Sequence, residues 1–449
     1  MQRVGGNHRG TAVLLAMADM AILTASGLAA AWIRFGPALF PTELDEIAAH
    51  PWFIGYMLLA QLGLSTTFDL YRPESWRTKD YLLVRMIAVA ITLAVALVIG
   101  VYLVPAWRFG RGLLALTLLM ALPLQAAIRF LWLGLAARPR PRRAVVIGSG
   151  PIVGALEEEL ARRPNAPFQI VAQLSAPSAS TPKELAGEAF ADIDLFVVAT
   201  LAHDPTADRL AALNFRGTPV MDAAGAYAAL TGRIPVLQVD SKWFIASGDF
   251  SSLATSPFHH LQRFLDVSIA SILLLISSPI LLVAALAVLV SDGRPILFQQ
   301  TRLGRFGHPF KLSKLRTMKR GSDREGPAFV TEGDRRVLRV GRVLRRWRID
   351  ELPQLVNVLR GEMSLVGPRP ERPEMAERLE HEIPFYAYRY SVRPGITGWA
   401  QVNLPYCELM EDHVAKLEFD LYALRHYGAP MYAIVLVRTL GALVFRPGR

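Results

Sequence analysis

The sequence predicts a membrane α-helical bundle, then an α/β Rossmann-like cytosolic domain, then a mainly α, α+β domain that carries a re-entrant membrane helix. Four long apolar runs fill the first third, strand-like and helical segments alternate in the middle, and a proline-interrupted apolar stretch opens a basic last third. The boundaries fall at 1–137, 138–255 and 256–449, which suits a chain of 449 residues at about 100 to 200 residues per domain. Composition agrees, since 52% of residues are hydrophobic and 19% charged, against about 25% charged in soluble domains.

The apolar runs are Thr11 to Ile33, Trp52 to Leu70, Leu83 to Val104 and Leu113 to Leu135. Each approaches or exceeds the roughly 20 residues that a helix needs to cross the hydrocarbon core. The first is too long for a signal-peptide core and lacks a small-residue cleavage pattern, so it is expected to be retained. Arg3 and Arg9 precede it, Arg72, Arg77, Lys79 and Arg85 fill the second loop, and Arg138, Arg140, Arg142 and Arg143 follow the fourth run, whereas the first loop carries Glu43, Asp45 and Glu46. The positive-inside rule then puts both ends of the bundle in the cytoplasm, with the short loop of Arg108 and Arg111 dissenting. Asp19 lies inside the first run, either as a functional group or as a polar contact facing the bundle interior.

In the middle domain, strands are expected at Ala144–Gly148, Gln169–Leu174, Ile193–Thr200 and Pro219–Asp222, which indicates a small parallel sheet with covering helices. Gly148, Gly150 and Gly154 resemble a dinucleotide turn. The last glycine is one residue late, however, and no acidic ribose partner stands near Gln173–Ser175, so assembly or regulation is the favoured role.

A fifth apolar stretch, about residues 262–290, is flanked by Arg263 on one side and by Arg294, Arg302 and Arg305 on the other. Both ends therefore prefer the cytoplasm, and Ser278-Pro279 in its middle breaks the helix. A re-entrant hairpin satisfies both observations, and an ordinary span with a proline kink is the alternative. Beyond it lies most of the basic charge: residues 291–449 hold 27 Lys and Arg against 18 Asp and Glu, nine of the eleven net positive charges. Nucleic acid is not the expected partner, because the run follows a membrane segment and contains no nucleic-acid module. A single cysteine, Cys407, excludes an internal disulfide and a thiolate metal cluster.

The basic run ends at Arg345-Arg346-Trp347-Arg348-Ile349-Asp350-Glu351-Leu352-Pro353. Pro353 suits a first helical turn, so Asp350 is expected at or just before a helix start, where N–H groups and the dipole favour its ionised form. It would serve there as a nucleophile or merely as a cap. Gly367-Pro368-Arg369-Pro370 and Arg393-Pro394-Gly395 are stiff turns that each present a guanidinium suited to phosphate oxygens.

These segments, together with Arg263-Phe264-Leu265-Asp266, Ser278-Pro279, the run Phe310 to Met318, Asp350 to Gln354 and Arg393 to Trp399, resemble the bacterial sugar transferase family. Its members are polyprenyl-phosphate hexose-1-phosphate transferases, also called monotopic phosphoglycosyl transferases, and the four preceding runs match its long form. The resemblance implies transfer of a hexose-1-phosphate from a UDP-sugar to undecaprenyl phosphate, with release of UMP through an aspartyl-phosphosugar intermediate. That would be the first step of exopolysaccharide, capsule or O-antigen assembly, at the bacterial cytoplasmic membrane with its lipids around it, and the resemblance also allows a homodimer. It gives Asp350 the nucleophile's role, Glu351 that of a Mg2+ ligand, and Lys314, Arg316, Arg345 and Arg369 phosphate or nucleotide binding, to which the stiff-turn reading adds Arg393. The chain departs from the family at Leu404-Pro405-Tyr406-Cys407 and lacks a later aspartate near Pro430-Met431, while Lys416, Asp420 and Tyr422 still fit. Membrane-anchored nucleotide-sugar dehydratases share the layout but need Tyr-x-x-x-Lys, and no lysine here has a tyrosine four residues before it. A non-catalytic scaffold would not require the intact carboxylate pair.

Overall fold

A computed structural model describes residues 8–68, 70–71, 79–104, 111–135, 141–163, 166–174, 192–199, 207–248, 250, 252–322, 334–404 and 409–445. Arg3, Arg72, Arg77, Arg108, Arg138, Arg140 and the segment Pro405–Cys407 lie outside them. The chain divides into two compact units, Met1–Arg138 and Pro139–Arg449.

The first unit contains α1 (His8–Ala48), α2 (Pro51–Thr67), α3 (Lys79–Leu103) and α4 (Arg111–Leu135). α1 overruns its expected end at Ile33. Gly36, at φ 70°, together with Pro37 kinks it, and the acidic residues expected in a loop form a second helical piece. Leu23, Leu82, Leu93 and Leu97 are fully buried, and between them lies a polar contact. Asp19 accepts from Arg129 Nη1 at 2.8 Å and Nη2 at 2.5 Å, and from the Tyr71 hydroxyl at 3.0 Å. Of the two roles open for Asp19, the contact facing the bundle interior is the one observed, since a lone carboxylate among apolar helices needs such a partner.

The second unit begins with β1 (Arg142–Ile147), α5 (Pro151–Ala161), β2 (Phe168–Leu174), β3 (Leu195–Val198), α6 (Ala207–Phe215), β4 (Val220–Asp222) and α7 (Ala223–Thr231). The strands pair in parallel in the order β2-β1-β3-β4. α5 and α7 cover one face through Ile152, Val153, Leu156 and Tyr227, and α6 covers the other through Leu210. Buried on both faces, the central strands read as continuous apolar runs.

Two short helices, α8 (Ser241–Ala246) and α9 (Ser252–Thr255), lead to α10 (Phe258–Asp292). α10 is one 35-residue helix with Pro279 inside it, where the sequence suggested a broken hairpin. Proline removes the amide that would bond the Leu275 carbonyl, and the Ser278 hydroxyl donates to that carbonyl instead, at 2.7 Å. α1, α3, α4 and α10 are long and apolar enough to cross a membrane. α2, at 17 residues, is about 26 Å long.

The rest of the unit comprises the hairpin β5 (Leu297–Leu303) and β6 (Pro309–Leu315), α11 (Arg339–Arg346), α12 (Gln354–Arg360), β7 (Ser364–Val366), α13 (Pro373–Glu382), β8 (Gly395–Thr397), α14 (Trp399–Asn403), α15 (Met410–Arg425) and α16 (Ala429–Phe445). α10 is anchored to this region by Asp266, which is fully buried and accepts from the Leu365 amide at 2.9 Å and the Tyr432 hydroxyl at 2.8 Å.

Candidate active site

Asp350 lies on a forced turn. Arg348, at φ 56°, sits in the left-handed region, a conformation that costs a non-glycine residue about 1–3 kcal/mol and clusters at functional sites. The turn leads from α11 into a 3₁₀ segment, Ile349–Glu351. Pro353, at φ −60°, is the cap residue directly before α12 rather than part of its first turn. Asp350 therefore precedes the helix by several residues and is 8% exposed. Its acidity moves opposite to the sequence expectation: burial and then the Glu351 charge raise its pKa, while Lys314 and Arg345 pull it back. Those two cations, and after them the residue's own backbone N–H in the 3₁₀ turn, favour the ionised form.

Glu351 behaves differently. Burial pushes it up, but Arg369, Arg348 and Lys314 outweigh that and hold it below the usual glutamate value. Arg369 Nη2 donates to Glu351 Oε1 at 3.1 Å and Arg348 Nη1 to the same oxygen at 3.5 Å. Two adjacent carboxylates with their acidities driven apart are a common acid–base and nucleophile signature.

Lys314 comes from β6, opposite Phe298 of β5, and its ammonium lies 5.0 Å from the centre of that ring. Burial and the Arg345 charge lower its pKa, against Asp350 and Glu351, which raise it. Arg345, on α11, is steadied by Nε donation to Thr317 Oγ1 at 2.8 Å. The structure thus gathers Asp350, Glu351, Lys314, Arg345 and Arg369.

Arg316 and Arg393 are placed elsewhere. Arg316 is buried and donates to the carbonyls of Asp292 at 3.0 Å and Gly293 at 2.6 Å, and its Nη1 lies 3.2 Å from the Asp292 carboxylate. It satisfies the orphan carbonyls at the end of α10. Ser278 and Pro279 lie within α10 itself. Arg393 lies within electrostatic reach of Tyr427, and its backbone crosses Gly367. A Cβ on Gly367 would collide with the Arg393 carbonyl, and one on Gly395 with the Gly367 amide nitrogen. Only glycine lets the two loops cross so closely.

The loop that carries Arg369 is held from beneath by residues the motif reading did not assign. Arg389, 1% exposed, donates to Asp420 Oδ2 at 2.7 and 3.1 Å, to the Tyr386 hydroxyl at 2.8 Å and to the Arg369 carbonyl at 3.1 Å. Arg302 donates to the neighbouring Pro370 carbonyl at 3.1 Å. Glu371 binds Lys416 and lies 3.6 Å from Arg389. Burial raises the Glu371 pKa, yet Lys416 and Arg389 dominate and bring it down to about 2. The sequence signals for this network were the position of Glu371 directly after the Arg369-Pro370 turn and the fit of Lys416 and Asp420 to the family pattern.

Among the described residues no group of three or more His, Cys, Asp or Glu side chains is arranged to hold a metal. A divalent cation of the magnesium type needs less than that, since one or two carboxylates plus substrate phosphates suffice. The oxygen donors of Asp350 and Glu351 fit it.

Residues 258–446 match the family model described as bacterial sugar transferase. The chain is 36% identical over 253 residues to a UDP-N-acetylgalactosamine-undecaprenyl-phosphate N-acetylgalactosaminephosphotransferase of Aeromonas hydrophila, covering 55% of this chain and 58% of that protein. It is 52% identical over 142 residues to a UDP-glucose:undecaprenyl-phosphate glucose-1-phosphate transferase of Caulobacter vibrioides, covering 32% and 53%. An uncharacterized sugar transferase of Bacillus subtilis is 44% identical over 147 residues, 32% of this chain and 68% of that protein. The matches thus span little more than half the length of the first two relatives. The chain belongs to the bacterial sugar transferase family.

Proposed function

We propose that this chain transfers a hexose-1-phosphate from a UDP-sugar to undecaprenyl phosphate, with Asp350 carrying the phosphosugar between two half-reactions. The observation that carries the reading is a buried carboxylate on a strained turn, beside a second carboxylate and ringed by Lys314, Arg345 and Arg369. In the first half, an Asp350 oxygen attacks the sugar-bearing phosphorus, the bond to the bridging oxygen breaks, and UMP leaves with that oxygen. In the second, an oxygen of the lipid phosphate attacks the same phosphorus and frees the Asp350 carboxylate, giving a lipid diphosphate sugar. No redox partner is needed, and an acyl phosphate is established covalent chemistry.

A carboxylate approaching a diphosphate meets like charge, so cations must be in place beforehand. Lys314 and Arg345 bias Asp350 toward its anion, and Arg369 presents a fork to phosphate oxygens. Magnesium, bound through Glu351, would neutralise phosphate oxygens. In this proposal Arg316 has a positioning role, because its guanidinium is spent on the end of α10, and Arg393 shapes the loop crossing. The relatives' names support both substrates and allow glucose or N-acetylated sugars.

The same reading places the protein in the bacterial cytoplasmic membrane with the site on the cytoplasmic face, where UDP-sugars are made. α10 then enters and leaves on one side, bending at Pro279, so that the site sits at the depth of the lipid phosphate. The parallel-sheet region, read as Rossmann-like, and a homodimer belong to this proposal too, as does the first step of exopolysaccharide, capsule or O-antigen assembly.

The test is a panel of UDP-sugars, each offered to membranes with undecaprenyl phosphate and magnesium, with UMP as the readout. One sugar should release UMP, and Asp350→Asn should lose at least about a thousandfold. Inertness of the folded wild type toward the whole panel overturns the reading.

A further inference from the structure

The parallel-sheet region is joined to the candidate site by more than chain continuity. Ala228, Ile234, Val236 and Phe244 share one core with Leu379, Tyr386, Leu417 and Leu421. The Gly232 carbonyl accepts from Trp399 Nε1 at 3.0 Å, and the Ile234 amide donates to the Glu418 carbonyl at 3.1 Å. Between those two backbone bonds stands Arg233. Its Nη2 donates to Glu159 of α5 at 3.0 Å, its Nη1 lies 3.7 Å from Glu418 of α15, and its guanidinium lies over the rings of Phe419 and Tyr227 at 5.7 and 5.8 Å.

α15 carries this bridge to the other side. Residues two apart on a helix point to nearly opposite faces, while residues four apart share one. Glu418 therefore faces Arg233, and Lys416 and Asp420 together face away from it. Those two side chains hold Glu371 and Arg389, and Arg389 holds the carbonyl of Arg369, whose guanidinium reaches Glu351. Every step is a direct contact.

We infer that Arg233 is a positioning residue for the candidate site: by tying Glu418 of α15 to Glu159 of α5 it sets the backbone of the Arg369 loop. This rests on the proposed function for its activity readout, not for its structural one. Without the cation, two partly buried carboxylates would face one another with only Arg162 and Arg163 left near Glu159. The expected response is displacement of α15, since the bridge that ties it to α5 is gone and Glu418 is left buried without its ion-pair partner.

The experiment uses the full-length chain in membranes and a double-mutant cycle. Arg233→Ala should lower kcat for UMP release about tenfold with KM for the UDP-sugar within about twofold, as for an interaction felt in the transition state. In an Arg369→Ala background the same change should cost nothing further, because its effect passes through Arg369. A residue that only supports folding would cost the same factor in both backgrounds, and that result overturns the inference.

A second readout needs no turnover. The amides of Gly395 and Leu303 bond the carbonyls of Pro368 and Glu371, both at 2.9 Å. In Arg233→Ala their hydrogen exchange should rise at least about fivefold, while residues 270–290 of α10 stay unchanged. Unchanged exchange at both amides overturns the inference. Arg233→Lys keeps a charge that cannot span both carboxylates and should fall between the two, which preserves the test if the alanine variant fails to fold. If the wild type releases no UMP from any UDP-sugar, the proposed function fails, and the exchange comparison still decides the role of Arg233.

Discussion

Lys314 and Glu371 each set a charge at the candidate site. Burial and Glu351 raise the pKa of Asp350, and Lys314 is the first cation opposing them. Removing it disfavours the carboxylate, so the acid limb of the pH profile for UMP release should move to higher pH in Lys314→Met. An unmoved limb would show that Lys314 does not act on Asp350. For Glu371 the sign is reversed. Its folded pKa of about 2 lies below its ordinary 4.5, so its contribution to stability is present above 4.5 and is lost as pH falls toward 2. Glu371→Gln leaves Lys416 without the carboxylate it binds, while Arg389 keeps Asp420, and should cost about 3–5 kcal/mol, as does breaking a buried pair from one side. Chemical unfolding of the detergent-solubilised protein measures it.

At the scale of elements, α10 does two jobs. Its first half is locked to the C-terminal region through Gln262, whose amide donates to Ser364 Oγ at 2.8 Å, and through Asp266. Its second half exposes Leu275, Ile280, Val283, Leu286 and Val290. At 35 residues it is about 52 Å long, well beyond a hydrocarbon core of about 30 Å. If it re-enters as proposed, cysteines at Leu261→Cys and Ser291→Cys, in a Cys407→Ser background, should both react with an impermeant thiol reagent added from the cytoplasmic side. Labelling of one of them only from the opposite side would show an ordinary span.

Across the second unit as a whole, Glu418 joins the sheet region to the C-terminal region and titrates in an accessible range. Burial raises it to about 7, against Arg233 and the Val236 amide, with Glu159 adding to the rise. Because the folded state holds this proton more tightly than the unfolded one, the stabilisation is full below 4.5 and is lost as pH rises through about 7. The wild-type melting temperature should therefore fall between pH 5 and pH 8, and Glu418→Gln should flatten that part of the curve. Equal slopes in the two proteins would remove Glu418 as the cause.

Local chemistry left much of this in the sequence. The strands of the sheet announced themselves as short apolar runs, and Asp350 and Glu351 were adjacent in a basic segment. The stiff turn of Arg369 was visible because proline fixes the backbone and glycine permits conformations and close approaches that other residues cannot make. What the sequence could not show is which distant groups meet. Arg129 lies 110 residues from Asp19, and Arg389 and Asp420 are 31 apart. Arg316 reads like any other cation of its run until β6 delivers it to the end of α10. Burial and neighbouring charge fix an acidity, and both exist only once the chain has folded. The sequence by itself determined the lipid-facing helices, the parallel sheet and the carboxylate pair. Tertiary structure alone decided which cations face that pair, and that the sheet region and the site are built on one core.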